Sequence, residues 1–415
     1  MNKTTWIALL AMLSATGTMA ETSPWYVGVQ QTFTHDNNLY RVGEGLVLPD
    51  GTARGDTISS TALVAGLDQQ ISRQRLRGSL NLSDNRYSHN SNLNTPSHNG
   101  SLALDWATAE RLSGTLSLAS TKSQMQFNAL GTSGLAETRK NVVSSQQIDG
   151  LARVGAVTQL TAEIGAGHSS QSYSAIEYQA RQYRQDYASL GLTWRPSGLL
   201  TLGTALRETQ GRYPKFRDLG QGQFSADRFT RQDIDLTAQW LPSQISQVSG
   251  RLSATRNHYD LNSLRNASGL TGNINWDWQP TGKMHVRSTL WRDFSQRSEP
   301  STFAIFGAGY TDYSSSTNGA RVLVEQELSG KVSVNASLAQ ARRSLVDTLS
   351  VSQGLLGTGS GQDRTMTTAL GLRWNPTRNS TVGCDIGREQ RRSDGRLSTN
   401  MSGSTYGCSG QLTLQ

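Results

Sequence analysis

The sequence predicts an all-β protein, a transmembrane antiparallel up-and-down β-barrel of about 18 strands with short periplasmic turns and long extracellular loops. Three observations carry that expectation. Leu190, Leu192 and Trp194 alternate with Ser189, Gly191 and Thr193, and Arg195-Pro196-Ser197-Gly198 then supplies a turn. Leu200, Leu202 and Leu206 next alternate with Thr201, Gly203 and Ala205, so the segment is a hairpin with one apolar face. Comparable turns recur near Ser72, Glu110, Thr158, Ser197, Ser243, Thr281, Ser329 and Thr377, roughly 38 to 48 residues apart. Each unit holds two strands of about ten residues, the length that a tilted strand needs to cross a bilayer. Finally, Trp106, Trp194, Trp240, Trp276, Trp278 and Trp374 all stand a few residues before a short turn. An apolar ring with a polar N–H belongs at a membrane–water interface, so this row marks the periplasmic girdle. A secreted β-propeller also repeats at this interval, but its blades need four strands per period where these hold two.

Residues 1–20 read as a signal peptide. Lys3 starts it, an apolar run follows from Trp6 to Leu13, and Thr18-Met19-Ala20 offers small residues for cleavage. The apolar run is too short for a membrane helix. Residues 21–415 are therefore expected as one exported barrel domain in the outer membrane of a Gram-negative cell. The first strand turns Trp25, Val27, Val29 and Phe33 outward and ends in the polar run His35 to Arg41. Eight hairpins and a last strand over 405–415 bring the count to 18.

Residues 121–145, 171–186, 209–231, 295–318 and 345–364 are rich in Ser, Gly, Asn and Gln and are expected as the long outer loops. Tyr213 and Phe216 in one, and Phe303 and Tyr310 in another, are candidate carbohydrate contacts, because aromatic faces beside cations suit sugar rings. A loop folded into the pore and loops packing on one another are the other readings of the same residues.

Composition fits a water-filled barrel, which needs apolar residues only on its outer belt. Only 35% of residues are hydrophobic and mean hydropathy is −0.48. The net charge is +8, from 39 basic and 31 acidic residues, and only six of the basic ones are Lys. Nucleic acid is not an expected partner of an exported chain; a basic lumen or contact with the lipopolysaccharide of the outer membrane accounts for the charge.

Parity selects the lumen face. Arg75, Arg77, Arg111, Arg153, Arg207, Arg251, Arg287, Arg321 and Arg373 should point inward, with Asp105, Glu163, Asp233, Asp235, Asp277, Glu325, Glu327, Asp385 and Glu389. The chosen pore-lining candidates are Arg75, Arg77, Arg207, Arg251, Arg287, Arg373, Asp235, Asp277 and Glu325. Both signs on one wall set a transverse field suited to polar or charged cargo; charge-paired filling that stiffens the barrel is the alternative. No catalytic residue is assigned. His35, His89, His168 and His258 fall near outer strand ends, but His35 and Asp36 point to opposite faces and no G-x-S-x-G elbow occurs. No metal-ligand spacing appears and no cofactor is expected. Cys384 and Cys408 lie twelve residues either side of a turn near Gly395-Arg396, which places them opposite one another on the last two strands. An oxidising periplasm permits a bridge there, and its geometry decides whether one forms.

The mature start, SPWYVGVQQTFTHDNNLYRV, resembles that of the EpsL-type outer-membrane β-barrels of exopolysaccharide gene clusters, in the wider beta-barrel porin 2 group. The likeness rests on the strand Tyr26-Val27-Gly28-Val29 and the turn Asp36-Asn37-Asn38-Leu39-Tyr40-Arg41. It continues in the W-x-P turns at Trp194, Trp240, Trp278 and Trp374 and the ending YGCSGQLTLQ. The resemblance implies an outer-membrane channel component for export of a secreted polysaccharide chain, working with a periplasmic polysaccharide export protein of the Wza-like class. It brings no catalytic residues. The alternatives are a sugar-type or general solute porin and a barrel that binds polysaccharide at the cell surface.

Overall fold

The structure, a computed structural model, describes residues 23–109, 111–127, 138–155, 159–261, 266–303, 307–351, 354–394 and 397–414. The expected signal peptide lies outside them, as do Glu110, Thr158 and the turn residues Gly395 and Arg396. Eighteen strands make up almost all of it. They are β1 Trp25–Asp36, β2 Asp56–Ile71, β3 Gln74–Tyr87, β4 Thr95–Ala107, β5 Leu112–Gln124 and β6 Val142–Val154. Next come β7 Leu160–Tyr173, β8 Tyr183–Ser197, β9 Leu200–Gly220, β10 Gln223–Ser243, β11 Ser246–Tyr259 and β12 Ala267–Thr281. The last are β13 Met284–Phe303, β14 Gly307–Ser329, β15 Val332–Val351, β16 Gly354–Thr377, β17 Ser380–Ser393 and β18 Met401–Leu414.

Every strand pairs antiparallel with its neighbours in sequence, and β1 pairs with both β2 and β18, from Val27 opposite Leu414 to Asp36 opposite Thr405. The sheet is thus a closed barrel without an edge, in which the backbone polar groups pair along a ladder between every two neighbouring strands, as a bilayer interior demands. Gly28 belongs to this seam, where an added Cβ would collide with the Leu412 carbonyl.

Alternation decides the faces. β8 alternates half-buried and exposed from Tyr183 to Arg195, and its exposed face carries Leu190 at 64% and Trp194 at 50% exposure. The same outward row continues round the wall through Leu206, Ile234, Leu252, Leu270 and Leu290, all at or near half exposure. So large a continuous apolar surface is incompatible with water and is the lipid-facing belt of a membrane-spanning barrel.

The W-x-P turns have a specific geometry. Ladder register breaks between Trp194 and Ser197, Trp240 and Ser243, Trp278 and Thr281, and Trp374 and Thr377. Proline has no N–H to give the ladder, so pairing lapses at Pro196, Pro242, Pro280 and Pro376. The residue before each proline still donates to the preceding strand, as Arg195 does to the Gln159 carbonyl.

The outer loops differ from expectation. Residues 209–231, 295–318 and 345–364 are mostly continuous strand, so β9, β10 and β13 to β16 run to 20–24 residues. Above the bilayer both faces of a strand meet water, so the apolar alternation that betrays a strand is lost while pairing continues. The β9–β10 tip turns through Gly220-Gln221-Gly222, each at positive φ, the left-handed backbone that tight reversal requires. Tyr213 and Phe216 consequently lie within β9, and Phe303 and Tyr310 within β13 and β14, rather than on loops.

The first outer loop, residues 37–55, does not stand above the barrel but folds into its mouth. Asp36 faces inward and accepts from the backbone N–H of Asn38 at 2.9 Å, and Asn38 donates to the carbonyls of Val42 at 2.8 Å and Ser402 at 2.7 Å. Arg41, at positive φ, turns back to bind Asp36 at 2.7 Å and Glu389 at 3.2 Å. This drives Leu39, Tyr40 and Val42 under cover, where they form a small core with Leu93 and Phe127 against the inward side chains of Ile58 and Tyr87.

Candidate functional site

Ion pairs line much of the lumen. On β2 to β4, Arg75 meets Asp68 at 2.6 Å and Arg77 meets Asp105 at 2.5 Å. Arg153 of β6 faces Glu163 of β7 at 3.5 Å, and Arg287 of β13 faces Asp277 of β12 at 2.6 Å. His285 stands between Asp277 at 3.6 Å and Glu325 at 3.9 Å. The densest part runs across β9, β10 and β11 as a ladder. Arg231 binds Asp233 at 2.9 Å, Arg207 lies 3.3 Å from Asp233 and 3.5 Å from Asp235, and Arg251 binds Asp235 at 3.0 Å. Thr255 donates to Asp233 and Ser253 to Asp235, each at 2.5 Å, so both buried carboxylates are held from several sides. Charge-assisted bonds of this kind fix long side chains in place.

Five of the six candidate arginines, Arg75, Arg77, Arg207, Arg251 and Arg287, are therefore paired, and the positive field they imply singly is largely cancelled in that sector. Asp235 is a partner of Arg207 and Arg251, Asp277 is the partner of Arg287, and Glu325 lies 3.9 Å from His285. The charges left open cluster elsewhere: Arg321, Arg373, Glu327 and Asp385 face the lumen from β14, β16 and β17 and are exposed, without an ion pair among the described residues. Arg111 sits in the short turn before β5 and not on a lumen strand.

Beside the ladder, the wall is hollowed into a polar recess of about 540 Å³. Tyr183, Gln185 and Tyr187 of β8 form one side and Gln147 and Asp149 of β6 another, with Arg207, Arg231 and Asp233 closing it. Tyr187 donates to Asp149 at 2.9 Å and Gln147 to the same carboxylate at 2.7 Å. Rings, amides, hydroxyls and guanidiniums meet here without metal-type clustering; no group of three metal-ligating side chains occurs among the described residues. Sequence reasoning did not single out Tyr187 and Asp149, although their odd parity in good strands was a usable signal. Arg231 ends a polar stretch, 209–231, whose sequence carries no strand alternation, and this hides it.

The roof completes the site. Tyr40 packs on Phe127 with ring centroids 4.6 Å apart, Lys140 donates to the Asn94 carbonyl, and Arg139 pairs with Glu177. Glu177 lies on a short 3-10 helix, Ile176–Arg181, which rests against β9 and also against β13, four strands further round, so it crosses the mouth as a chord. Beside it, Tyr213 lies 5.5 Å from Phe229 and 6.5 Å from Phe216 and Tyr259, an inward aromatic cluster in which Phe216 and Tyr259 are each 5% exposed. These rings are packed in the wall and not offered on a flexible loop. The side chains of Phe303 and Tyr310 lie outside those described.

Two of the histidines near outer strand ends face away from the lumen. His168 accepts or donates at 2.7 Å with Asp186, but both project from the outward face; His35 likewise faces out, stacked on Tyr406. Cys384 and Cys408 are directly opposite across β17 and β18 and form a disulfide, their Cα atoms 4.1 Å apart. The bridge lies on the lipid-facing side, among Phe33, Leu372, Ile386 and Tyr406.

The chain forms a closed 18-strand antiparallel β-barrel with an apolar outer belt and a charged, partly roofed lumen, the architecture of a membrane-spanning barrel. No protein-family model matches the sequence, and no curated protein matches it. Among solved structures, the chain is similar to OccK2 (OpdF) of Pseudomonas aeruginosa, at 13% identity over 94% of this chain and 97% of that one, with a TM-score of 0.48. It is also similar to the FrpB iron transporter of Neisseria meningitidis, at 7% identity over 95% and 82%, with a TM-score of 0.45.

Proposed function

We propose that the protein is an outer-membrane channel for carbohydrate, and that its cargo is a secreted exopolysaccharide handed on by a Wza-like periplasmic export protein. The observation that supports a carbohydrate cargo is the recess beside the arginine ladder, where Tyr183 and Tyr187 sit among Gln147, Gln185, Arg207 and Arg231. Rings offer faces to sugar rings, and amide and guanidinium forks offer donors to hydroxyls and carboxylates. A chain in transit must meet many weak sites, because binding has to permit both entry and exit. Polymer as the cargo comes from the resemblance in the first strand, its turn and the W-x-P turns.

A second reading, a sugar-type solute porin, is favoured by one observation: the first loop and the 3-10 helix narrow the mouth, which suits small solutes. Deleting the gene in its native host separates the two. Polymer accumulating in the periplasm is the result expected of an export channel. Normal polymer secretion, together with sugar uptake by vesicles carrying the purified barrel, would replace export with the porin reading.

A further inference from the structure

The outward face carries a feature that the channel does not use. Arg292 of β13 stands opposite Asn318 of β14, Asn318 opposite Arg342 of β15, Arg342 opposite Arg364 of β16, and Arg364 opposite Arg392 of β17. Four guanidiniums and one amide thus occupy a single cross-strand row over five adjacent strands, a span of about 19 Å at the usual strand spacing. By parity they share the lipid side with Leu290, Val322, Leu338, Leu370 and Ile386. All four arginines are exposed, and none has an ion pair among the described residues.

Height along the wall gives the row its meaning. On β16 the outward residues run Trp374, Leu372, Leu370, Thr368, Met366, and then Arg364. From Trp374 to Arg364 the strand advances about 33 Å along its length, which at a tilt of about 40° is about 25 Å along the membrane normal, the height of the apolar band of such barrels. Arg364 stands where that band ends, on the side opposite the tryptophan girdle, and the row, inclined with the strand tilt, passes there through the headgroup level of the outer leaflet. Like charges directly opposite one another in a sheet repel, and neutral partners only position them. Arg342 donates to Gln362 at 2.6 Å, Arg364 to Gln340 at 2.5 Å, and Arg292 to Asn318 at 3.3 Å. The guanidinium forks remain without a counter-charge, in the geometry that binds phosphate oxygens in pairs.

We propose that this row is a binding site for the phosphorylated sugar headgroup of lipopolysaccharide, which lies along it and relieves the repulsion between neighbouring arginines. The site is independent of what the lumen carries and rests on the barrel standing in an outer membrane.

The test uses the full-length barrel in detergent with purified lipopolysaccharide, the same lipid after dephosphorylation, and inorganic phosphate. Wild-type protein should retain the phosphorylated lipid in native mass spectra and lose about tenfold in affinity for the dephosphorylated one, since charged bidentate contacts dominate. That comparison needs no variant. The quadruple change Arg292→Gln, Arg342→Gln, Arg364→Gln and Arg392→Gln should lower affinity for the intact lipid by a similar factor while heat-modifiable migration is kept; the lumen change Arg75→Gln with Arg77→Gln should leave it unaltered. Equal affinity for both lipids would overturn the proposal, as would binding of inorganic phosphate that matches that of the lipid and depends on the same arginines.

Discussion

Tyr40 shows how much rests on one side chain of the roof. It is 1% exposed, and its hydroxyl is buried without a hydrogen-bond partner among the described residues. Burial first, and then the negative charge of Asp56, push its pKa up to about 12. An unfolded phenol ionises near about 10, so the stability gained by keeping Tyr40 neutral is complete below that pH and is lost as pH climbs toward 12. Proteolytic cutting of the first loop should therefore rise above about pH 10 in the wild type. Tyr40→Phe keeps the ring and removes an unpaired donor, so the loop should hold equally well or better by about 1 kcal/mol at neutral pH. Its alkaline rise in cutting should shrink; an identical rise in both proteins would show that Tyr40 is not the titrating group. At this scale the sequence was readable in part. Parity alone placed Arg207, Asp235 and Asp277 on the lumen face, but which carboxylate meets which arginine depends on register between strands, and no single strand encodes that.

The first loop is the element that sets the mouth. Its two ends are tied together, since Arg54 donates to the carbonyls of Val42 at 2.9 Å and Gly43 at 3.0 Å. Residues between them can thus be removed without parting the strands. Replacing 44–53 with two glycines should leave β1–β2 pairing intact, because shortening a surface loop costs little, and should raise single-channel conductance several-fold. Unchanged conductance would mean that the current path lies elsewhere. The sequence showed the anchor of this element, the run from Asp36 to Arg41, but only as a polar turn. Its inward course depends on Glu389 and the Ser402 carbonyl, which are distant in the chain. Long strands were misread as loops for the reverse reason: above the membrane, water wets both faces and the period-two signal vanishes. The W-x-P turns were fully legible, because tryptophan placement and the missing proline N–H both act locally.

The whole molecule depends on closure, and closure depends on the β1–β18 seam. Gly28 faces the lumen there with the Leu412 carbonyl in the space a Cβ would take. Gly28→Val should reduce the folded, fast-migrating fraction on unheated gels several-fold, since overpacking against backbone typically costs about 1–3 kcal/mol. Gly410→Ala, with open space around it, should leave that fraction unchanged and so separates a steric effect from simple loss of glycine. Equal folding of both variants would mean that the seam adapts. Strand number and closure were foreseeable from the repeat, because an even count returns both ends of the chain to one side of the membrane.

The unequal strands have a consequence for what happens outside the cell. β9, β10 and β13 to β16 reach 20–24 residues, whereas β1 to β8 stop at 12–16. The barrel's rim is therefore raised in two stretches, over β9–β10 and over β13–β16, with the shorter β11 and β12 between them. Anything leaving the mouth is screened along those stretches and finds its way out over the lower strands. Anything arriving from solution, an antibody or a phage tail fibre, meets the tall hairpins first, so their tips rather than the roof are the part of this protein that the outside world samples.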